Sequence, residues 1–169
     1  MAEFHQNLWA PWRMEYIRSL REDLDNGCFL CRYAGNPDAD TANHVLKRTA
    51  TSMVLLNRFP YSNGHLLIAP RAHKAQLAEL TADETVDLMR LISDGMSALR
   101  TCMHAQGFNI GMNLGHCAGA GLPDHLHWHV VPRWSGDTNY MSVIGDVRVI
   151  PDSLEANFRA LREQLMQGP

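Results

Sequence analysis

The stretch His125-Leu126-His127-Trp128-His129-Val130-Val131 sets three imidazoles at alternate positions. Successive side chains of a β-strand point to opposite faces. An extended backbone over 125–131 would therefore put the histidines on one face and Leu126, Trp128 and Val130 on the other. Imidazole changes charge close to neutral pH and can transfer protons, ligate metals or attack phosphorus. One strand histidine is ordinarily a hydrogen-bonded structural residue, whereas three on one face point to chemistry. Just upstream, residues 114–124 are small and glycine-rich, with Gly115, Gly119 and Gly121 close together. Backbone N–H groups in such a turn can approach an anion closely, so a phosphate would sit beside the imidazoles. Neutral histidine is a competent nucleophile toward phosphorus, and flanking histidines can donate to phosphoryl or leaving oxygens. No acidic cluster adjoins, which argues against a two-metal phosphatase mechanism.

A second group with chemical potential is Cys28-Phe29-Leu30-Cys31. It lies in a segment, 22–43, where Asp, Asn, Gly and Pro recur, a composition that predicts turns. Two thiolates on a tight turn are half of a tetrahedral zinc site, and histidines elsewhere must supply the rest. No strand leads directly into the motif, so it is not thioredoxin-like. Cys102 and Cys117 carry no such pattern. His5, His44, His104 and His116 read as surface or loop residues, His116 nearest the candidate site.

With 169 residues, 46% hydrophobic and 20% charged, the chain reads as one soluble globular domain with a real core. The net charge of -3, with Lys47 and Lys74 the only lysines, gives no polybasic signature for nucleic acid or an anionic membrane. No apolar run approaches the roughly 20 residues that span a bilayer. His5, Gln6 and Asn7 stand where a signal peptide would need an apolar core, so the expected location is cytoplasmic, where thiols stay reduced.

These groups need elements to position them. The aromatic-rich stretch 8–20 predicts a short helix after Pro11, part of an N-terminal arm (1–22) docked on the body. Residues 44–48, 52–57, 64–70, 107–113 and 125–131 predict strands, and the near-continuous apolar run of 64–70 predicts burial on both faces. Thr81-Ala82-Asp83-Glu84 is a capping box that opens a helix reaching about residue 105, with Leu88, Leu91, Ile92, Met96 and Leu99 as its apolar stripe. Residues 135–169 form a C-terminal loop and a last helix, opened by Pro151-Asp152-Ser153 and striped by Leu154, Phe158, Leu161 and Leu165.

At this point the chain resembles the histidine triad (HIT) family, whose pattern is His-φ-His-φ-His-φ-φ with φ apolar; residues 125–131 match it in full. Asn57, Gly64-His65 through Pro70 and the loop from Asn113 to His125 also fall where that family has them. The likeness runs from about Cys28 to Trp134. Leu8–Tyr16 and Pro132–Met141 are similar to its bacterial diadenosine tetraphosphate phosphorylase branch. The resemblance implies an α+β fold, about five antiparallel strands with helices packed on one face, and a homodimer or higher homo-oligomer. It implies an enzyme that cleaves dinucleoside polyphosphates, with His127 the nucleophile that forms a nucleotidyl-histidine, resolved by phosphate or water. It further implies that His129 bonds phosphoryl oxygens and His65 supports the triad. Asn57 takes the ribose side, Asn113 contacts phosphate, and the N–H groups of Ala120 and Gly121 complete the cradle. Relatives often carry Ser or Thr where this chain has Gly121, so here only backbone donors remain. By the same similarity a structural zinc would be held by Cys28, Cys31, His73 and His125, which makes His125 structural; no organic cofactor is implied. Other readings of these residues are a nucleoside phosphoramidate or adenylate hydrolase, and a nucleotide-binding module with vestigial catalysis.

Overall fold

In the computed structural model, which describes residues 27–138, 144 and 150–167, five short apolar runs make one antiparallel sheet. They are β1 (Val45–Arg48), β2 (Ser52–Leu56), β3 (Leu66–Pro70), β4 (Gly107–Gly111) and β5 (Trp128–Arg133), ordered β1-β2-β3-β5-β4. The helix expected after Pro11 and much of the loop 135–150 lie outside the described residues.

Alternation sorts the sheet's side chains into two cores. Val54, Leu56, Leu66, Ile68, Leu126, Trp128 and Val130 face a layer of two helices, α2 (Ala82–Met103) and α3 (Leu154–Gln167). Met53, Leu55, Leu67 and Ala69 face the other way and meet Leu30 and Ala34 of a short helix, α1 (Phe29–Gly35). Helices therefore lie on both faces, not one. The reason is that β2 and β3 are buried along their whole length and expose apolar groups on each side, which a single layer would leave half wet.

The helix α1 replaces the turns predicted around the cysteines. Seven residues are too few to hold a helix by propensity. Leu30 and Ala34, four apart, form one face, and burial against the sheet supplies the stability. Cys28 is the N-cap and Cys31 lies in the first turn, so helical spacing brings both thiols to one side.

The capping box of α2 forms as expected: Glu84 N–H donates to Thr81 Oγ1 at 3.2 Å and Thr81 N–H to Glu84 Oε2 at 2.7 Å. Two glycines set how closely α2 approaches the sheet. A Cβ at Gly95 would lie 2.8 Å from Leu66 Cδ1. Gly64 has φ +74, and a Cβ there would lie 2.6 Å from Met103 Sδ, so the turn that delivers His65 needs glycine. At the start of α3, Ala156 N–H donates to Ser153 Oγ at 3.1 Å.

The histidine stretch departs from expectation. Its strand begins only at Trp128, where the pairing Ile68–Trp128, Leu67–His129 and Leu66–Val130 starts. Residues 125–127 run off the end of the ladder and are fixed by another bond: Leu126 N–H donates 2.7 Å to the Lys74 oxygen. The alternation of faces still continues through them, since Leu126 joins Trp128 and Val130 in the helix-side core. Among the described residues no helix is long and apolar enough to cross a membrane.

Candidate active site and metal cluster

Tautomers follow from partners that can only donate or only accept. His127 Nδ1 lies 2.8 Å from the main-chain oxygen of His125. A carbonyl accepts, so Nδ1 carries the proton and Nε2 keeps its lone pair. Burial lowers the His127 pKa, opposed by that carbonyl bond, and the ring stays neutral with a nucleophilic nitrogen available.

A second chain of bonds runs through the sheet. His65 Nδ1 receives the Tyr61 backbone N–H at 3.1 Å and faces the Asn57 side-chain amide at 3.2 Å, both donors. His65 must then be protonated on Nε2, which stands 2.9 Å from His129 Nδ1. His129 accepts on Nδ1 and in turn carries its proton on Nε2. The relay ends in an N–H donor on the ring neighbouring His127, the two ring centroids 5.1 Å apart. Burial first, and then the neighbouring histidines, push His65 down to about 3 and His129 to about 4. All three imidazoles are neutral at physiological pH.

Tyr61 is a residue the sequence reading missed. Its ring stacks on His129 at 5.8 Å with a 22° tilt and lies 4.7 Å from His65. The only signal in the sequence was an aromatic in a polar loop shortly before Gly64-His65. That loop is pinned: Ser62 Oγ donates to the Pro132 oxygen at 2.9 Å, and Asn63 exchanges amide hydrogen bonds with the buried Asn157 of α3. A cleft of about 1180 Å³ begins at His129 and Tyr61 and passes Asn109, Arg133 and Trp134.

Asn57 turns its amide to His65, and its oxygen accepts the Phe59 N–H at 2.9 Å. β4 pairs Gly111 with His129, so Asn113 leaves the sheet beside the relay, and its amide donates to the Gly119 oxygen at 3.3 Å. The glycine loop turns through positive φ at Gly115 and Gly119. The Ala120 N–H donates to the Gly115 oxygen at 3.3 Å, so in this conformation it closes the loop instead of facing a ligand. Gly121 lies exposed at the loop's end.

Cys28, Cys31, His73 and His125 converge, with one ligand atom from each inside a span of 4.8 Å. His125 Nε2–H donates to the Pro70 oxygen at 2.9 Å, which leaves its Nδ1 unprotonated, 3.2 Å from Cys28 Sγ and 3.5 Å from Cys31 Sγ. His73 Nδ1 is 3.2 Å from Cys31 Sγ. A tetrahedral ion with metal–ligand lengths of about 2.0–2.3 Å needs S···N edges of about 3.5 Å, so the donor set fits one. Burial pushes the Cys28 thiol up to about 11, against the backbone N–H of Cys31, which favours the thiolate. A divalent cation reverses that preference and ionises its thiol ligands outright. These four residues could hold a metal.

A family model described as the HIT domain matches residues 39–136. The chain is 34% identical over 168 residues to the AP-4-A phosphorylase of Mycobacterium tuberculosis, covering 97% of this chain and 86% of that one. It is 32% identical over 95 residues to the asymmetrical bis(5′-nucleosyl)-tetraphosphatase of Schizosaccharomyces pombe, 56% of this chain and 52% of that one. Among solved structures, a Zn-bound histidine triad family protein from Mycobacterium smegmatis superposes with a TM-score of 0.66 at 28% identity, covering 83% of this chain and 94% of the other.

Proposed function

The chain belongs to the HIT family, and on that premise we propose that it is an enzyme cleaving dinucleoside polyphosphates by nucleotidyl transfer to His127. The observation that carries this reading is the pair of tautomers: a bare Nε2 on His127 next to an Nε2–H on His129. The His127 nitrogen attacks the α-phosphorus, the bond to the bridging oxygen breaks, and its electron pair leaves with the nucleoside polyphosphate. His127 becomes cationic at that moment, and the His125 oxygen on its Nδ1–H stabilises the charge. The His129 N–H is the donor toward phosphoryl or leaving oxygens, with His65 holding its tautomer. Phosphate or water then attacks the phosphorus and displaces His127. The cleft beside His129 exceeds the roughly 300–1,000 Å³ of ordinary ligand pockets and has room for the departing half. Asn57 and Asn113 serve the ribose and phosphate, and the Gly121 backbone the phosphate cradle. Ala120 joins it if its bond to Gly115 opens on binding.

The metal is zinc in this reading, held by Cys28, Cys31, His73 and His125 in a closed Cys₂His₂ site that supplies structure and no open coordination position. The protein acts as a cytoplasmic homo-oligomer, dimer or larger, each copy one domain over 1–169.

Incubation with diadenosine tetraphosphate, with and without inorganic phosphate, tests the proposal by its nucleotide products. ADP and ATP appearing only with phosphate identify a phosphorylase, and AMP and ATP without it a hydrolase. Absence of turnover under both conditions would refute the assignment.

A further inference from the structure

His125 belongs to two structures at once. Its side chain faces the two thiols at 3.2 and 3.5 Å, and its main-chain oxygen accepts the His127 Nδ1–H at 2.8 Å. Residues 125–127 lie beyond the β3–β5 ladder, which ends at Ile68–Trp128. Two hydrogen bonds that fix them, Leu126 N–H to the Lys74 oxygen and His125 Nε2–H to the Pro70 oxygen, reach the segment 70–74. That segment meets α1 through His73 and Cys31. The cluster thus closes a ring of three segments, and the orienting carbonyl of the nucleophile is part of that ring.

We propose that metal ligation at this cluster sets the position and tautomer of His127, so that Cys28, Cys31 and His73 are positioning residues of the reaction although they are not themselves catalytic. The inference rests on the readings of His127 as nucleophile and of the cluster as a zinc site. It predicts an asymmetry: His129 is held by the ladder on both sides, opposite Leu67 and Gly111, and is independent of the metal.

The test uses full-length protein with ¹⁵N-labelled histidine, zinc-loaded and then chelated, with metal content followed by atomic emission and ring signals assigned through His127→Gln and His129→Gln. Chelation is expected to abolish the slowly exchanging His127 Nδ1–H signal and to lower kcat at least 30-fold with KM within threefold. The His65 and His129 ring signals and the far-ultraviolet circular dichroism should persist, and added zinc should restore both losses. His73→Asn, at an exposed position, keeps the core intact and should reproduce the effect in milder form. An unchanged His127 signal and kcat in protein holding less than a tenth of an equivalent of metal would overturn the proposal. So would loss of the His65 and His129 signals together with that of His127, since the metal would then support the whole sheet. A protein that takes up no zinc overturns it together with the metal reading. Zinc-loaded protein without turnover refutes the nucleophile reading alone, and the ring signals still decide the coupling.

Discussion

The two ends of the histidine stretch are built by different physics. At its start, His125 sits off the sheet among the donors of Cys28, Cys31 and His73, with its Nε2–H on the Pro70 oxygen and the next residue's N–H on the Lys74 oxygen. At its other end, His129 sits inside the sheet, paired with Leu67 and Gly111, and receives its proton pattern from His65. His127 lies between and borrows from both: its carbonyl partner comes from the cysteine-cluster end, its donor neighbour from the sheet end. A uniform spacing in the sequence thus crosses a boundary in the structure, and the residue at the boundary is the one with a bare nitrogen.

Breaking the centre should have the largest effect. His127→Ala is expected to reduce turnover of diadenosine tetraphosphate at least 1,000-fold, about 4 kcal/mol in the barrier, while nucleotide binding by calorimetry and the fold persist. Activity at a tenth of the parent rate would remove His127 from its role.

Breaking only the sheet end should cost less. His65→Phe keeps a planar ring in a fully buried position but leaves His129 Nδ1 without its donor. kcat should fall about 10- to 100-fold with the metal content unchanged. A loss of zinc in this variant would mean that the two ends are not separable.

Acid should expose the smallest difference. His65 and His129 titrate lower in the fold, about 3 and about 4, than the ordinary histidine value, so the unfolded chain binds more protons between there and about 6.5. Their stabilising contribution is complete above about pH 6.5 and declines as the pH falls through the window toward 4. Urea denaturation should register a decrease of about 2–3 kcal/mol between pH 7 and 5.5 from these two rings. Burial lowers His125 and His127 as well, so the informative quantity is the difference from His65→Phe, whose dependence should be shallower. Equal slopes would refute the neutral relay.

Much of this was legible from the chain. The five strands lie within a few residues of their apolar runs, and the Thr81–Glu84 box marks the start of α2, because local spacing and capping chemistry decide both. The likeness to the family brought Cys28, Cys31, His73 and His125 together, and they do converge. Features decided by distant contacts were not legible. Phe29–Gly35 is helical only because Leu30 and Ala34 find the second face of β2 and β3. The strand starts late, at Trp128, although β3 runs on to Pro70, because Leu126 N–H and the His125 ring bond to the 70–74 segment, which the alternation of 125–131 does not show. Asn57 showed an amide but not that His65 would take it, and Tyr61 gave no periodic pattern at all.

The exchange of amide hydrogen bonds between Asn63 and Asn157 has a consequence for synthesis. A ribosome that has just made Arg133 has delivered the relay, the cluster and His127, yet the partner of Asn63 is still to come. So are Phe158, Leu161 and Leu165 of the helix-side core. The loop bearing Tyr61 is among the earlier parts of the site to be translated, and its clamp is among the last to arrive.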